Sequence, residues 1–257
     1  MTLFELQWWH VPVLFAVGAI ASFLNSLSGG GSVISLPILI SLGVPPLLAN
    51  GTNRVAILAG NLGSVLSLRK GGFLVKGVLS QLLFPVVLGA ILGAWIAVQM
   101  TDTVFRIVLA FALVFVVVSS HVRVRLGGDA DPSETPQLGW QAKIAFFLVG
   151  FYGGSIQVGV GIVLMYVLTH FTRLDLVRVN ALKGLVALVF IFTSTLVFIH
   201  ADLILWSAAI AQGFGGLLGG WMGGRFQIHR GESLIRKAIQ IDALLMAIRL
   251  LWDVIQD

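Results

Sequence analysis

Two runs of glycine and small polar residues interrupt otherwise apolar sequence, and both could hold an anion. The first is Asn25-Ser26-Leu27-Ser28-Gly29-Gly30-Gly31-Ser32. Glycine costs about 1 kcal/mol relative to alanine at a helix-interior position, so this run breaks a helix. The break frees backbone N–H groups, and a new helix starts near Ser32. A helix N-terminus carries about half a unit of positive charge and points its amides outward, which suits an oxyanion. Asn25, Ser28 and Ser32 add side-chain donors. A kink or a tight packing site without a ligand is the competing reading. A nucleotide-binding loop is excluded, because no Gly-Lys-Ser or Gly-Lys-Thr follows the glycines. The counterpart is Gly153-Gly154-Ser155-Ile156-Gln157-Val158-Gly159-Val160-Gly161. Its glycines are more widely spaced, which predicts a milder break, and Ser155 and Gln157 are its polar members.

A second constellation pairs Asn50-Gly51-Thr52-Asn53-Arg54 with Asn180-Ala181-Leu182-Lys183. Arg54 and Lys183 each lie about seven residues into an apolar segment, roughly 10 Å deep at 1.5 Å per residue. A cation at the centre of a bilayer costs about 2.5–3.5 kcal/mol on the insertion scale. The acids near them are few: Asp175 lies in a loop and Asp242 on the last apolar segment. The surplus of cation over anion favours a negatively charged substrate. Snorkelling of both side chains toward the headgroups is the alternative. Asn50 and Asn180 cannot snorkel. Asn61, two turns beyond Arg54, could line the same path or hydrogen-bond to a neighbouring helix.

Other features read as structural. Gly213, Gly215, Gly216, Gly219, Gly220, Gly223 and Gly224 make overlapping small-xxx-small patterns, echoed by Gly89 and Gly93, and predict close helix packing. Asp102 with Arg106, and Arg249 with Asp253, have helical ion-pair spacing. The histidines His10, His121, His170, His200 and His229 are scattered without metal-ligand spacing. No nucleophile–base–acid set stands out, so no metal, cofactor or enzymatic activity is expected. Cysteine is absent, which excludes disulfides and thiolate metal sites.

The elements that must position these residues are membrane helices. The 257 residues are 58% hydrophobic and 11% charged, against roughly 25% charged in soluble domains. The mean hydropathy is +0.99. Ten apolar segments run over about 9–27, 32–43, 47–68, 75–99, 103–121, 140–154, 160–170, 176–199, 203–224 and 235–254. The polar stretch 122–139 divides the chain into a first transmembrane repeat over 1–121 and a second over 140–257. The formal charge of +5 comes from Lys and Arg placed between apolar segments, so no nucleic-acid partner is expected. The first ten residues hold neither Lys nor Arg, a poor start for a cleaved signal peptide, and Trp8 and Trp9 read as an interfacial belt.

The halves align without gaps at an offset of 130 residues: Gly29 on Gly159, Gly31 on Gly161, Val33 on Val163, Asn50 on Asn180, Ser64 on Ser194, Gly89 on Gly219 and Gly93 on Gly223. Charge then gives orientation. Arg69, Lys70 and Lys76 precede the fourth segment, whereas the matching loop His200-Ala201-Asp202 has no Lys or Arg. Thr101-Asp102 follows the fourth segment, whereas its match holds Arg225, Arg230, Arg236 and Lys237. With basic loops inside, the copies face opposite ways. The expected fold is therefore an all-α polytopic membrane protein of two inverted-topology repeats. Each has a glycine-broken helix pair, spanning or re-entrant, plus three transmembrane helices. The linker is expected to be cytoplasmic and both termini external.

The chain resembles the sulfite exporter TauE/SafE family of bacterial membrane proteins. The resemblance rests on Asn25-Ser-Leu-Ser-Gly-Gly-Gly-Ser-Val-Ile-Ser-Leu-Pro37, then Gly43, Ala49 and Gly51-Thr-Asn53, and in the second copy on Gly153 to Gly161 and Asn180. It implies transport of a small sulfur-containing oxyanion, such as sulfite or an organosulfonate, out across the bacterial inner membrane. The second copy departs from the pattern, with neither a Gly-Gly-Gly run nor a proline at position 167. Together these readings predict a secondary transporter working by alternating access. Amides around Gly29, Gly30, Gly31 and Ser32, and around Gly159 and Gly161, would hold the anion. Asn50, Thr52, Asn53, Asn180 and Gln157 would add hydrogen bonds, and Arg54 and Lys183 charge. Expected partners are the anion, the lipid bilayer and a coupling proton or ion, with Asp242 the candidate proton carrier. Direction and oligomeric state are left open. A membrane scaffold, or the permease subunit of a larger complex, is the alternative.

Overall fold

A computed structural model describes residues 7–27, 29–68, 76–120, 137–174 and 176–226, and it is helical throughout. Among the described residues there are nine helices: α1 His10–Leu27, α2 Ser32–Ser41, α3 Pro46–Leu68, α4 Lys76–Ala97, α5 Asp102–Ser120, α6 Trp140–Ser155, α7 Val160–Thr172, α8 Leu176–His200, and α9 over 206–226. Ser28, Arg69, Lys70, linker residues 122–136, Asp175, and the segment 235–254 with Asp242, Arg249 and Asp253 lie outside the described residues, as do His121, His229, Arg230, Arg236 and Lys237.

Local chemistry sets the boundaries. Pro46 opens α3 at the first helical position, where the missing N–H costs nothing. The short α2 stops at Gly43, whose φ of 93° suits glycine. There the Gly43 N–H donates to Ile40 O and the Val44 N–H to Leu39 O, closing the helix end with paired carbonyls. At the start of α3, Asp102 Oδ1 accepts the Leu47 N–H at 2.9 Å, placing a carboxylate on the positive end of that helix. Asp102 thus serves α3 as a remote cap, a role its spacing to Arg106 does not suggest. Six residues into α3, Thr52 Oγ1 accepts the Leu205 N–H at 3.0 Å just ahead of α9.

Among the described residues, three helices are long and apolar enough to cross a membrane: His10–Leu27, Gly77–Ala97 and Arg178–His200. Their outward faces carry large apolar side chains. Phe84 is 78% exposed, Phe111 72% and Phe214 65%. Such faces need lipid, while Asn50, Arg54, Gln157, Asn180, Lys183 and Gln212 lie inside. This inside-out distribution identifies a helical membrane protein.

Helices of the two halves pack on each other, α4 against α6 and α8, and α3 against α8 as well as α1 and α2. Glycines allow main-chain approach at the reciprocal contacts. A Cβ on Gly93 would stand 2.0 Å from Phe151 O, where α4 meets α6. One on Gly219 would stand 1.9 Å from Ala19 O, where α9 meets α1. Gly220 meets Gly60 O on α3 in the same way. Gly213 departs from the predicted stripe, since its nearest neighbour, Ala59 Cβ, would be 4.0 Å away. Two apolar clusters, one around Phe105 and Phe198 and one around Phe146 and Phe190, flank the centre, and Tyr152 packs against both.

Candidate functional site

The two glycine runs are breaks, and they meet. α1 ends at Leu27 and α2 begins at Ser32; α6 ends at Ser155 and α7 begins at Val160. Gly29 turns the first break with φ 91°. The second turns through two left-handed residues, Gln157 at φ 70° and Gly159 at 65°. A Cβ on Gly29 would lie 2.4 Å from Gly161 Cα, and one on Gly161 would lie 2.3 Å from Gly29 Cα. Main chain therefore touches main chain at the centre of the molecule.

Each break leaves the last carbonyls of a helix without intrahelical partners. The third helix of the opposite half supplies them. From α3, Arg54 Nη1 donates to Gly153 O at 3.1 Å, and Nη2 to Gly154 O at 2.7 Å and Ser155 O at 2.9 Å. Asn50 Nδ2 donates to the same Ser155 O at 2.8 Å. From α8, Lys183 Nζ donates to Asn25 O at 2.9 Å and Ser26 O at 3.4 Å. Asn180 Nδ2 donates to that Ser26 O at 2.8 Å. A cation and an amide thus cap the negative end of each broken helix. The sequence-based expectation gave both cations an anion as compensation; in this structure helix carbonyls take up part of that charge, and neither side chain snorkels.

The two cations differ in surroundings. Arg54 is fully buried, takes a fourth bond to Ser194 Oγ at 2.7 Å, and stacks over Phe198 at 4.3 Å. Only its Nε lacks a partner. Lys183 instead lines a small cavity of about 10 Å³ with Asn25, Gly29, Ser32, Asn61, Gln157 and Gly161. Ile57, Val160, Ala187, Phe190 and Ile191 make its apolar wall. That volume holds about one water. Gln157 is 2% exposed, and neither its Nε2 nor its Oε1 has a partner. A larger groove of about 550 Å³ between α3 and α8 is lined wholly by apolar residues such as Leu62 and Phe192. It offers nothing polar to recognise a solute.

Of the predicted site residues, Asn25, Gly29, Ser32, Gln157, Gly161 and Lys183 converge on the cavity. Gly31 caps α2 and Gly159 caps α7. Gly30 lies buried between Gly29 and Gly31. Asn50, Arg54 and Asn180 hold helix ends. Asn53 Oδ1 accepts the Ser35 hydroxyl at 2.6 Å, and Thr52 donates to Leu48 O, so both brace helices away from the cavity. Ser28 lies outside the described residues. Ser194 and Phe198, which hold Arg54, carry no local sequence signal; their contacts to α3 span about 140 positions.

Among the described residues the acids are Asp102, at the start of α5, and Asp202, in the turn after α8. No group of His, Cys, Asp and Glu among those residues could hold a metal ion. No solved structure matches the chain. Curated relatives do. A "probable membrane transporter protein ORF9" of Sinorhizobium is 28% identical, over 97% of this chain and 95% of its own. A probable membrane transporter protein of Haemophilus influenzae is 26% identical, over 95% of each. The probable membrane transporter protein YfcA of Escherichia coli is 24% identical, over 94% of this chain and 89% of its own. The family model described as "Sulfite exporter TauE/SafE" matches residues 14–250, and the chain belongs to that family.

Proposed function

We propose that this protein is a secondary transporter of a small sulfur-containing oxyanion, sulfite or an organosulfonate, exported across the bacterial inner membrane by alternating access. The observation that carries the reading is the charge at the crossed breaks. Arg54 and Lys183 bring two formal positive charges to the centre. Two helix C-termini offset about one unit, and the N-termini of α2 and α7 return about the same amount. The helix dipoles therefore nearly cancel beside that surplus of formal charge, and among the described residues neither acid, Asp102 or Asp202, sits at the breaks. An oxyanion meets that surplus with several acceptor oxygens at once.

The cavity is too small for such an anion in this conformation, which corresponds to a closed state. Two oppositely oriented copies, related by the 130-residue offset, would rock against each other to open the site to one face and then the other. The helix starts support the copies: His10 and Trp140, like Pro46 and Leu176, stand that far apart.

Reconstitution tests the reading. Purified protein in liposomes should give saturable sulfite or sulfonate flux, and the same anions should raise its unfolding temperature above the effect of carboxylates. Absence of both effects would leave the scaffold or permease-subunit role. Flux that does not saturate would make the protein a channel.

A further inference from the structure

Gln157 stands apart from every other polar group at the site. Arg54, Asn50, Asn180 and Lys183 all spend bonds on helix carbonyls. Gln157 is equally buried, lines the cavity, and leaves both the donor and the acceptor of its amide without a partner. Its φ of 70° is a conformation that costs a non-glycine residue energy, and glycine there would relieve it. A strained backbone that presents an unsatisfied side chain to a cavity points to a ligand rather than to packing. The position has no polar counterpart in the first half, where Leu27 stands 130 residues earlier and is buried.

An amide that lacks both kinds of partner asks for a ligand with both. A fully deprotonated oxyanion has acceptors only. It would satisfy Nε2 and leave Oε1 facing another oxygen. We infer that Gln157 selects an oxyanion that keeps one acidic hydrogen: the O–H donates to Gln157 Oε1, a second oxygen accepts from Nε2, and the remaining charge faces Lys183. Resting on the transport reading above, this narrows the substrate class to singly protonated monoanions, hydrogensulfite among them, over sulfonates and dianions. The proton is then carried with the anion.

The test uses two monoanions of nearly the same shape, methanesulfonate and hydrogen methylphosphonate, which differ by one O–H. Their binding to the detergent-solubilised protein is measured by calorimetry at a pH where methylphosphonate holds one proton. Hydrogen methylphosphonate should bind about tenfold tighter or more, as expected where a buried acceptor goes unpaired with the wrong ligand. Gln157→Gly, which suits the backbone, and Gln157→Met should bring the ratio close to one while both anions still bind. Affinity for total sulfite should fall as pH rises through the second ionisation of sulfurous acid. A wild-type ratio near one overturns the inference, as does a ratio that both variants preserve, since the amide then meets only water. If sulfite binds but neither probe does, the pH profile decides, and a flat or rising profile overturns it. In all those cases the transport reading stands; binding of no anion at all overturns both.

Discussion

The two helix breaks are built to one plan and finished differently. In each, an Asn and a cation from the third helix of the opposite half take the terminal carbonyls. The Asn residues occupy equivalent positions, 130 apart, but the cations do not. Arg54 matches Gly184, and Lys183 matches Asn53. Arg54 is committed: four hydrogen bonds, an aromatic face and no exposure. Lys183 donates to two carbonyls of α1 and has a place on the cavity wall. The comparison teaches that the same device, a cation on the end of a broken helix, is packed among protein groups on one side and borders a cavity on the other.

Substitutions can break that distinction. Arg54→Ala should have the largest effect. It strips three carbonyls of a buried cation partner, and about 3 kcal/mol or more of stability should go. Thermal unfolding in detergent should show a large drop, with added anion giving no rescue. Parent-like stability would mean that the carbonyls find other partners and that Arg54 is not the committed member.

Next comes Gly161→Ala. Its methyl group would collide with Gly29 Cα at 2.3 Å, and overpacking of this kind costs about 1–3 kcal/mol. The variant should shift toward conformations in which the breaks are parted, seen as faster labelling of a cysteine introduced at Ser32. Labelling at the parent rate would place the mobile contact elsewhere.

Lys183→Ala should cost less, about 1–2 kcal/mol, because Asn180 still holds Ser26 O. The sharper expectation is functional: anion-dependent thermal stabilisation should vanish in this variant. Retention of that stabilisation would reverse the assignment of roles between the two cations.

The smallest effect belongs to Gly184→Ala, at the position matching Arg54. The added Cβ would sit 3.2 Å from Val65 Cγ2, the end of a side chain, and the helix gains alanine's propensity. Stability should change by no more than about 0.5 kcal/mol. A large loss would reveal that the second half needs its own close contact there.

The helices were legible because their boundaries are written locally. Proline at 46, glycine at 43 and the glycine runs each end or start an element through backbone chemistry that a few residues specify. Asn25, Gly29, Ser32, Gln157, Gly161 and Lys183 could be singled out because a polar residue or a glycine run is costly in an apolar segment and needs a reason. Their partners could not. Arg54 and the carbonyls it binds are about 100 residues apart, and a carbonyl has no letter in a sequence. The same blindness hid Asp102 as the cap of α3, because Arg106, four residues on, satisfied the ion-pair spacing rule first. Gly213 shows the converse: it shares a stripe with tightly packed glycines but points where there is room.

The bonds from Asp102 to Leu47 and from Thr52 to Leu205 have a mechanical meaning. They pin the head of α3 to the heads of α5 and α9. The helix that carries Arg54 cannot tilt at that end without dragging two others along. Farther along, Gly60 and Gly63 seat α3 against α9 main chain as well, so the two helices would shift as a unit.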